Sequence, residues 1–450
     1  MAHEALYKDL FSSIPVSWQV VPFEEAVDFR EGPGILAKDF RTEGVPLIRL
    51  RNIETPFVDL TGCNFLDPNM VAARWDHFRV EEGDLLVSTS GTLGRVSIVT
   101  ADSAGAIPYT GIIRMRPARE DVSPGFIRYF LTSSMFQDQA LASAAGSVLK
   151  HFGPSHLREM SFPVPPPREQ EQIAETLGSL DGKIDQNRRA NVALDEMALA
   201  IFKAWFVDFE PVKAKAQGEA GFPAMPEAVF DGIADRLVES EIGLIPQGWE
   251  VVPLYDVAQF VNGAAFKGRD FCDSASGLPV IKIAELKNGI TEQTKYSARV
   301  LDDKRCIDSG DMLYSWSGSP ETSLAVFIWM RGRGLLNQHI FKVITQSEEQ
   351  RHFVYYTLKL LRDRLVYIAS NKQTTGLGHV TVADMKRLLI CRPPEELLQQ
   401  CEVAMAPLFN RCLTNERESI ALADVRDTLL PRLMSGAIPV REEGDELHGG

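Results

Sequence analysis

The sequence lacks the features that would place it in a membrane, outside the cell or among metal-binding proteins. No apolar run approaches the roughly 18 residues that a membrane span requires, and the N-terminus MAHEALYKDLFSS has no charged start followed by an apolar stretch. Six cysteines are present without any C-x-x-C pair, which argues against zinc and against a disulfide framework. We therefore expect a cytoplasmic protein with buried free thiols.

Catalytic motifs are missing as well. The chain has no P-loop, no G-x-G-x-x-G after a strand and no H-E-x-x-H, and its eight histidines show no metal-ligand spacing. Glu285 and Lys287 form an E-x-K pattern that some nucleases share, but the equivalent part of the first half does not repeat it. We interpret that pattern as chance and expect no catalytic residues and no metal site.

The charge is unevenly distributed. The formal net charge is −14, which by itself counts against a nucleic-acid partner because phosphate contacts depend on Lys and Arg. Residues 246–394 nevertheless carry +4, whereas residues 168–235 and 395–450 carry −6 each. Because the local field decides what a surface binds, a basic face is still compatible with DNA.

The sequence also repeats itself once over nearly its whole length. IPVSWQVVPF at residues 14–23 returns as IPQGWEVVPL at residues 245–254, and the correspondence continues without slipping to Phe29 and Phe260. It resumes in four further segments at offsets of 227 to 233, including GVPLIRLRNI (44–53) with GLPVIKIAEL (277–286). A repeat of about 228 residues is far longer than a solenoid or propeller unit and indicates domain duplication.

Each half ends in a heptad pattern. Apolar residues alternate at spacings of four and three from residue 173 to residue 205, and the second half repeats the pattern 228 positions later with Asn187 opposite Asn415. Such narrow seams predict two helices that pair with each other, with polar seam residues setting the register. The alternative is that each helix packs on its own globular domain. The residues assigned to helix pairing are Ile173, Leu177, Leu180, Ile184, Asn187, Leu194, Ile201, Trp205, Met405, Leu408, Cys412, Asn415, Leu422, Leu429 and Leu433.

We therefore predict a mixed α/β protein with two similar globular domains separated by two long antiparallel helices of coiled-coil type, related by a pseudo-two-fold axis. From residue 173 to residue 205 a helix would be about 50 Å long, a spacer suited to two half-sites one to one and a half DNA turns apart. The expected segments are a first domain (1–167), a first helix (168–210), a connection (211–244), a second domain (245–394), a second helix (395–437) and a tail (438–450).

Loops that combine basic, polar and small residues are the candidate DNA contacts, because phosphate contacts position a protein and base-edge contacts specify the sequence. The candidates in the first half are Arg49, Arg51, Asn52, Ser90, Thr92, Arg95, Lys150 and His151. Those in the second half are Lys267, Arg269, Ser317, Asn337, Gln338, His339, Lys372, Gln373, Thr374, Thr375 and His379.

Four segments make the chain resemble the specificity subunit of type I restriction-modification systems. They are PPPREQEQIAETLGSLDGKIDQN (165–187), FKAWFVDFEPVKAKA (202–216), SEIGLIPQGWEVVPL (240–254) and LLPRLMSGAI (429–438). The second proline region reads RPPEELLQQ and departs from the usual P-x-x-E-Q.

This resemblance implies two target recognition domains that each read half of a bipartite DNA target. It also implies that the spacer helices, residues 170–205 and 397–433, pair and dock two modification subunits, and that restriction subunits join them. S-adenosylmethionine would be bound by the modification subunits, no cofactor by this chain. The alternatives are a self-sufficient nuclease or methyltransferase with an unrecognised site, and a protein scaffold that binds no DNA.

Overall fold

A computed structural model describes residues 11–12, 14–89, 94–143, 153–372 and 378–439. The chain separates into two compact units, Met1–Asp185 with Ile420–Gly450 (unit 1) and Gln186–Ser419 (unit 2). Each unit contains one globular domain and a part of each of two 40-residue helices. No helix within the described ranges combines the length and the apolar character that a bilayer span requires.

Within its described residues the first domain contains ten strands and five α-helices. Its strands are β1 (Gln19–Pro22), β2 (Val27–Glu31), β3 (Phe40–Arg41), β4 (Val45–Ile48), β5 (Asn64–Leu66), β6 (Leu85–Ser88), β7 (Val96–Ile98), β8 (Ile107–Pro108), β9 (Ile112–Pro117) and β10 (Ser161–Val164). Its helices are α1 (Phe23–Ala26), α2 (Pro68–Met70), α3 (Pro124–Thr132), α4 (Ser134–Ser143) and α5 (Pro154–Arg158). Two four-stranded sheets form, in the orders β2-β9-β6-β7 and β3-β5-β4-β8.

The first long helix and the connection follow. They comprise α6 (Pro167–Phe206), α7 (Glu210–Ala216), α8 (Glu227–Gly232) and a hairpin of β11 (Leu237–Ser240) and β12 (Gly243–Pro246). The connection is therefore partly regular, because the Ala-rich stretch after Phe209 continues as a short helix instead of an open linker.

The second domain repeats the first. Its strands are β13 (Glu250–Pro253), β14 (Gln259–Asn262), β15 (Leu278–Ile281), β16 (Tyr296–Ser297), β17 (Cys306–Ile307), β18 (Met312–Ser315), β19 (Ser317–Gly318), β20 (Ala325–Ile328), β21 (Gly334–Leu336), β22 (Ile340–Ile344), β23 (Gly378–His379) and β24 (Leu389–Arg392). Its helices are α9 (Ile283–Asn288), α10 (Pro320–Ser323), α11 (Glu348–Leu360), α12 (Arg362–Ser370) and α13 (Val382–Arg387), followed by the second long helix, α14 (Glu395–Met434). The sheet β14-β22-β18-β20 matches β2-β9-β6-β7 strand for strand.

The repeated motif at residues 14–23 and 245–254 closes each domain. Strand β1 pairs antiparallel with β10, and β13 pairs with β24, so the start of each domain lies beside the strand that leads into its long helix. In unit 1 the indole Nε1 of Trp18 donates to Glu169 Oε2 at 2.9 Å, which joins the motif to the first turn of α6. The motif occurs twice because each domain uses it to pair its first strand with the strand that precedes its long helix.

The start of α6 is fixed to the first domain by a buried amide. Gln170 Nε2 donates to the carbonyl oxygens of Asp121 and Pro165, both at 2.8 Å, and its Oε1 accepts from the Ser123 backbone. The first turn of α14 instead has Leu397 and Leu398, which are buried in the apolar core of unit 2. The departure from P-x-x-E-Q thus replaces hydrogen bonds with apolar packing.

The two long helices pair antiparallel within each unit. In unit 2, Asn187 Nδ2 donates to Ser419 Oγ at 3.3 Å, and Asn415 Nδ2 donates to Asn191 Oδ1 at 2.8 Å. These two contacts are equivalent under the 228-residue repeat, and Asn187 also donates to Glu418 Oε2 at 2.8 Å. A hydrogen-bonded amide pair of this kind favours one register, since any slip would leave buried amides without partners.

Every residue assigned to helix pairing is buried or half-buried. Close to each domain, the residues of the helix seam pack into the core of that domain. Ile173, Leu177 and Leu433 belong to the core of unit 1, and Trp205 and Met405 to that of unit 2. The helices therefore pack on each other and on the globular domains, so the two packing interpretations apply together.

Candidate nucleic-acid interface

A group of strand ends forms a polar surface on the first domain. At the end of β2, the Gly32 N–H donates to Ile112 O at 2.9 Å, and after β6 the Thr89 N–H donates to Gly111 O at 2.9 Å. The carboxylate of Glu31 accepts at Oε1 from the Gly111 backbone at 3.2 Å and from Thr110 Oγ1 at 3.4 Å. The ends of β2 and β6 and the turn before β9 therefore lie together.

The same three ends meet in the second domain with different side chains. The Gly263 N–H donates to Ile340 O at 3.1 Å, and the Trp316 N–H donates to His339 O at 3.4 Å. The indole Nε1 of Trp316 donates to Asn262 Oδ1 at 3.2 Å. The Trp316 ring lies 5.7 Å from that of His339, beside the exposed Gln338.

A fourth segment reaches this surface in the second domain. Strand β19 pairs with β23, which sets Ser317 opposite His379, and the Val380 N–H donates to Trp316 O at 2.9 Å. His379 is exposed and Ser317 is half-buried. The sequence-predicted residues Ser317, Gln338, His339 and His379 are thus brought together around Trp316.

A glycine is required at the same place in both domains. A Cβ atom on Gly32 would lie 2.2 Å from the Pro108 carbonyl oxygen, and one on Gly263 would lie 2.2 Å from the Asn337 carbonyl oxygen. Both distances are impossible for a side chain, so the chain approaches its neighbouring strand closely just after Glu31 and Asn262. The two domains therefore share the backbone arrangement of this surface and differ in its side chains.

Three predicted contacts in the first domain lie elsewhere, in the turn after β4. Asn52 is only 1% exposed; its Nδ2 donates to Asp59 O at 2.7 Å and its Oδ1 accepts from the Arg49 backbone at 2.9 Å. The Arg49 guanidinium lies 5.8 Å from the ring centroid of Tyr109, and Arg51 is exposed and donates to Gly62 O. Asn52 holds the turn together, which corrects its assignment as a base contact.

Two other predicted contacts, in the second domain, also have partners within the chain. Asn337 is buried in the turn after β21, where its backbone N–H donates to Ile281 O at 3.1 Å. The ammonium group of Lys372 lies 2.6 Å from both carboxylate oxygens of Asp384. Asp384 also accepts from the Thr381 hydroxyl at 2.6 Å. Lys372 therefore forms an ion pair just before residue 373, and Asn337 is largely buried in its turn.

The remaining candidates are exposed residues, the half-buried Arg95 and residues outside the described ranges. Lys267, Arg269, Gln338 and His339 are exposed, and Arg95 forms an ion pair with Glu54 at 3.3 Å. The candidates that lie outside the described residues are Ser90, Thr92, Lys150, His151, Gln373, Thr374 and Thr375.

Sequence reasoning missed Glu31 and Thr110 as site residues, and within the candidate loops 262–269 and 315–319 it did not single out Asn262 and Trp316. A signal was present, because the alignment of Phe29 with Phe260 sets Glu31 opposite Asn262 in two otherwise similar segments. The two copies of the motif differ in hydrogen-bonding chemistry at this position, although both need the glycine that follows it. Function can diverge at such a position. Composition alone does not mark it.

Potential metal ligands do not gather at one place in the described parts of the chain. These parts contain no cluster of three or more His, Cys, Asp and Glu residues able to hold a metal ion. Glu285 is buried and its Oε2 accepts from the Lys282 backbone at 3.0 Å, so it caps helix α9. All six cysteines are free; Cys401 is buried and the other five, Cys63, Cys272, Cys306, Cys391 and Cys412, are half-buried, which corrects the expectation that all would be buried.

Comparison with known proteins accounts for the duplicated domains and the paired helices of the fold. The model of the type I restriction modification DNA specificity domain matches residues 15–195 and again residues 246–421. The chain belongs to the type I restriction-modification specificity family. As a member of this family it supplies DNA sequence specificity and is not itself the nuclease or methyltransferase.

Two relatives match most of the chain. The MjaIX specificity subunit of Methanocaldococcus jannaschii is 24% identical over 95% of this chain and 95% of its own length. The HindI specificity subunit of Haemophilus influenzae is 24% identical over 80% of this chain and 87% of its own length. The crystal structure of the S subunit from M. genitalium shares 14% identity, covers 93% of this chain and 96% of its own and has a TM-score of 0.48.

Proposed function

We propose that this specificity subunit reads a bipartite DNA target with the two strand-end surfaces, one in each domain. The observation that supports this is that both surfaces have the same backbone hydrogen bonds but different side chains, Glu31 and Thr110 in one, Asn262 and Trp316 in the other. Two copies of one framework with different hydrogen-bonding groups suit a target whose halves have different sequences. Direct readout of base edges needs side chains of this kind.

Charge supports a phosphate-binding role near the second surface. Lys267 and Arg269 are exposed after Gly263, and residues 246–394 carry a net charge of +4. Residues 168–235 and 395–450, which contain the two long helices, carry −6 each, and acidic faces there would repel phosphate. We assign DNA to the domains and protein partners to the helices.

The outer faces of the helices have the character of protein-docking surfaces. On α6, Val192 and Met197 are 56% and 55% exposed, and on α14, Val425 is 48% exposed at the position equivalent to Met197. Large apolar side chains that recur on exposed helix faces mark protein contacts. Because the Met197 position and its equivalent Val425 are exposed in both helices, they suit two copies of one partner, and we propose the modification subunits of the system as that partner, joined by restriction subunits.

The cofactor belongs, in this proposal, to the partner. S-adenosylmethionine would bind the modification subunits, and calorimetric titration should detect binding to the complex but not to the specificity subunit alone. Methylation or cleavage of DNA by the purified chain without partners would contradict the assignment of a non-catalytic role.

An exchange of domains tests the reading function. Residues 13–163 would be replaced by the first domain of another family member, and the adenines methylated by the assembled complex would be mapped across a genome. We expect one half of the target to change and the other half to stay. An unchanged target would refute the proposal.

Docking is tested by placing charges on the helix faces. Met197→Glu and Val425→Glu should each weaken assembly with the modification subunit, because each buries a carboxylate in an apolar contact. Val300→Glu is the control, since Val300 is 95% exposed in the second domain and belongs to neither long helix. Equal assembly of all three variants would argue against these faces.

A further inference from the structure

The two residues that end β2 and β14 occupy equivalent positions. Glu31 is paired with Ile113 in the register of β2 and β9, and Asn262 is paired with Phe341 in the register of β14 and β22. In each domain the following glycine donates its N–H to the residue before the paired strand position. The two side chains therefore leave the same framework at the same point.

We propose that Glu31 and Asn262 are specificity-determining residues, one for each half of the target. This inference rests on the proposed DNA-reading function and adds to it the chemical class of base that each residue selects. Asn262 is exposed, and Glu31 is half-buried beside the exposed Thr110.

The orientation of the Asn262 amide follows from its partner. An indole N–H is only a donor, so the amide oxygen must face Trp316 Nε1, 3.2 Å away. The two N–H donors of Nδ2 then point away from the indole. A donor at this position selects a base edge that offers an acceptor, such as guanine O6 or N7 or thymine O4. Trp316 acts as a positioning residue because it fixes which end of the amide is presented.

Glu31 offers hydrogen-bond acceptors, whereas Asn262 offers donors. Glu31 Oε1 is held by the Gly111 N–H at 3.2 Å and by Thr110 Oγ1 at 3.4 Å, and an ionised carboxylate has only acceptors to offer. Its second oxygen therefore selects a base with an exocyclic amine, which is N4 of cytosine or N6 of adenine. The two halves of the target should differ in hydrogen-bonding sense at the base pairs read by these two residues.

The experiment uses the specificity subunit assembled with its modification subunit and a DNA library randomised around the target of the wild-type complex. Methylation of each library member is the readout. For Glu31→Gln we expect the preference at one base pair of one half-site to move from A or C towards G or T, by roughly 5- to 100-fold in relative rate. The other half-site should keep its preferences, which shows that the complex is intact. Glu82→Gln is the matched control, because Glu82 is exposed at the opposite end of strand β6.

The second domain supplies an independent test. Asn262→Asp should change one base pair in the other half-site, with the exposed Asn288→Asp as its control. Trp316→Phe retains an aromatic ring but removes the indole N–H, and it should weaken discrimination at the same base pair that Asn262→Asp changes. An effect spread over the whole half-site would assign Trp316 a merely structural role.

Wild-type base preferences in both Glu31→Gln and Asn262→Asp complexes would overturn the inference while leaving the DNA-reading function in place. A wild-type complex without any base preference would refute the reading function itself. If Glu31→Gln prevents assembly, the result for Asn262→Asp decides the inference alone.

Discussion

Replacement of Asp181 should destabilise unit 1 more than the loss of any exposed carboxylate. The Asp181 side chain is 13% exposed and accepts three hydrogen bonds. The donors are Arg128 Nη2 at 2.8 Å, Tyr129 Oη at 2.9 Å and Arg426 Nη1 at 2.8 Å. Burial raises the pKa of Tyr129 well above its usual range, so the phenol stays protonated and remains a donor. Asp181 thus joins α6, α3 and α14.

The magnitude follows from what Asp181→Ala leaves behind. Removal of one partner from a buried ion pair typically costs about 3–5 kcal/mol, because the remaining charge is left without compensation. Arg426 keeps a second partner, Asp427, at 2.7 Å and is partly exposed, so we expect a loss of about 3 kcal/mol in the free energy of unfolding. Asp181→Asn keeps the shape and one acceptor and should cost less.

Urea denaturation measures the loss, and hydrogen exchange localises it to peptides covering α3 rather than α11. The matched control is Asp427→Asn, which removes a carboxylate from the same arginine. Because the Asp427 side chain is 63% exposed, its loss should cost less than about 1 kcal/mol. Equal losses for Asp181→Ala and Asp427→Asn would refute the reasoning.

Three further predictions concern the helix seam, the stability of the fold at low pH and the affinity for DNA. Asn415→Leu should lower the free energy of unfolding by about 1–3 kcal/mol, because the Asn191 amide oxygen loses a buried donor. Urea denaturation measures this loss, and an unchanged midpoint would contradict a structural role for the pair. Burial alone would raise the pKa of Asp384, but hydrogen bonds from Lys372 and from the hydroxyl and backbone N–H of Thr381 outweigh it and lower that pKa below its ordinary value of 3.8. The resulting stability is present above pH 3.8 and is lost as the pH falls through the lowered folded-state pKa, so urea midpoints of wild type and Asp384→Asn should converge in acid and differ at neutral pH. Lys267→Ala should weaken binding of the assembled complex to all sequences alike and reduce the slope of log affinity against log salt by about 0.9, and a sequence-dependent effect would argue against a phosphate contact.

The duplication, the two long helices and the family could be predicted from the sequence. Repeats and heptads are one-dimensional patterns, and spacing along the chain is enough to show them. The Asn187 and Asn415 seam positions followed from the same spacing, since a helix brings residues three and four apart onto one face.

The recognition surface was decided by tertiary structure. Asn262 and Trp316 are 54 residues apart and Glu31 and Thr110 are 79 apart, and only the register of neighbouring strands joins them. For the same reason the polar character of Asn52 could not reveal that its amide is buried against the backbone. A sequence records which groups can form hydrogen bonds, but the fold decides whether the partner is another part of the chain or a ligand.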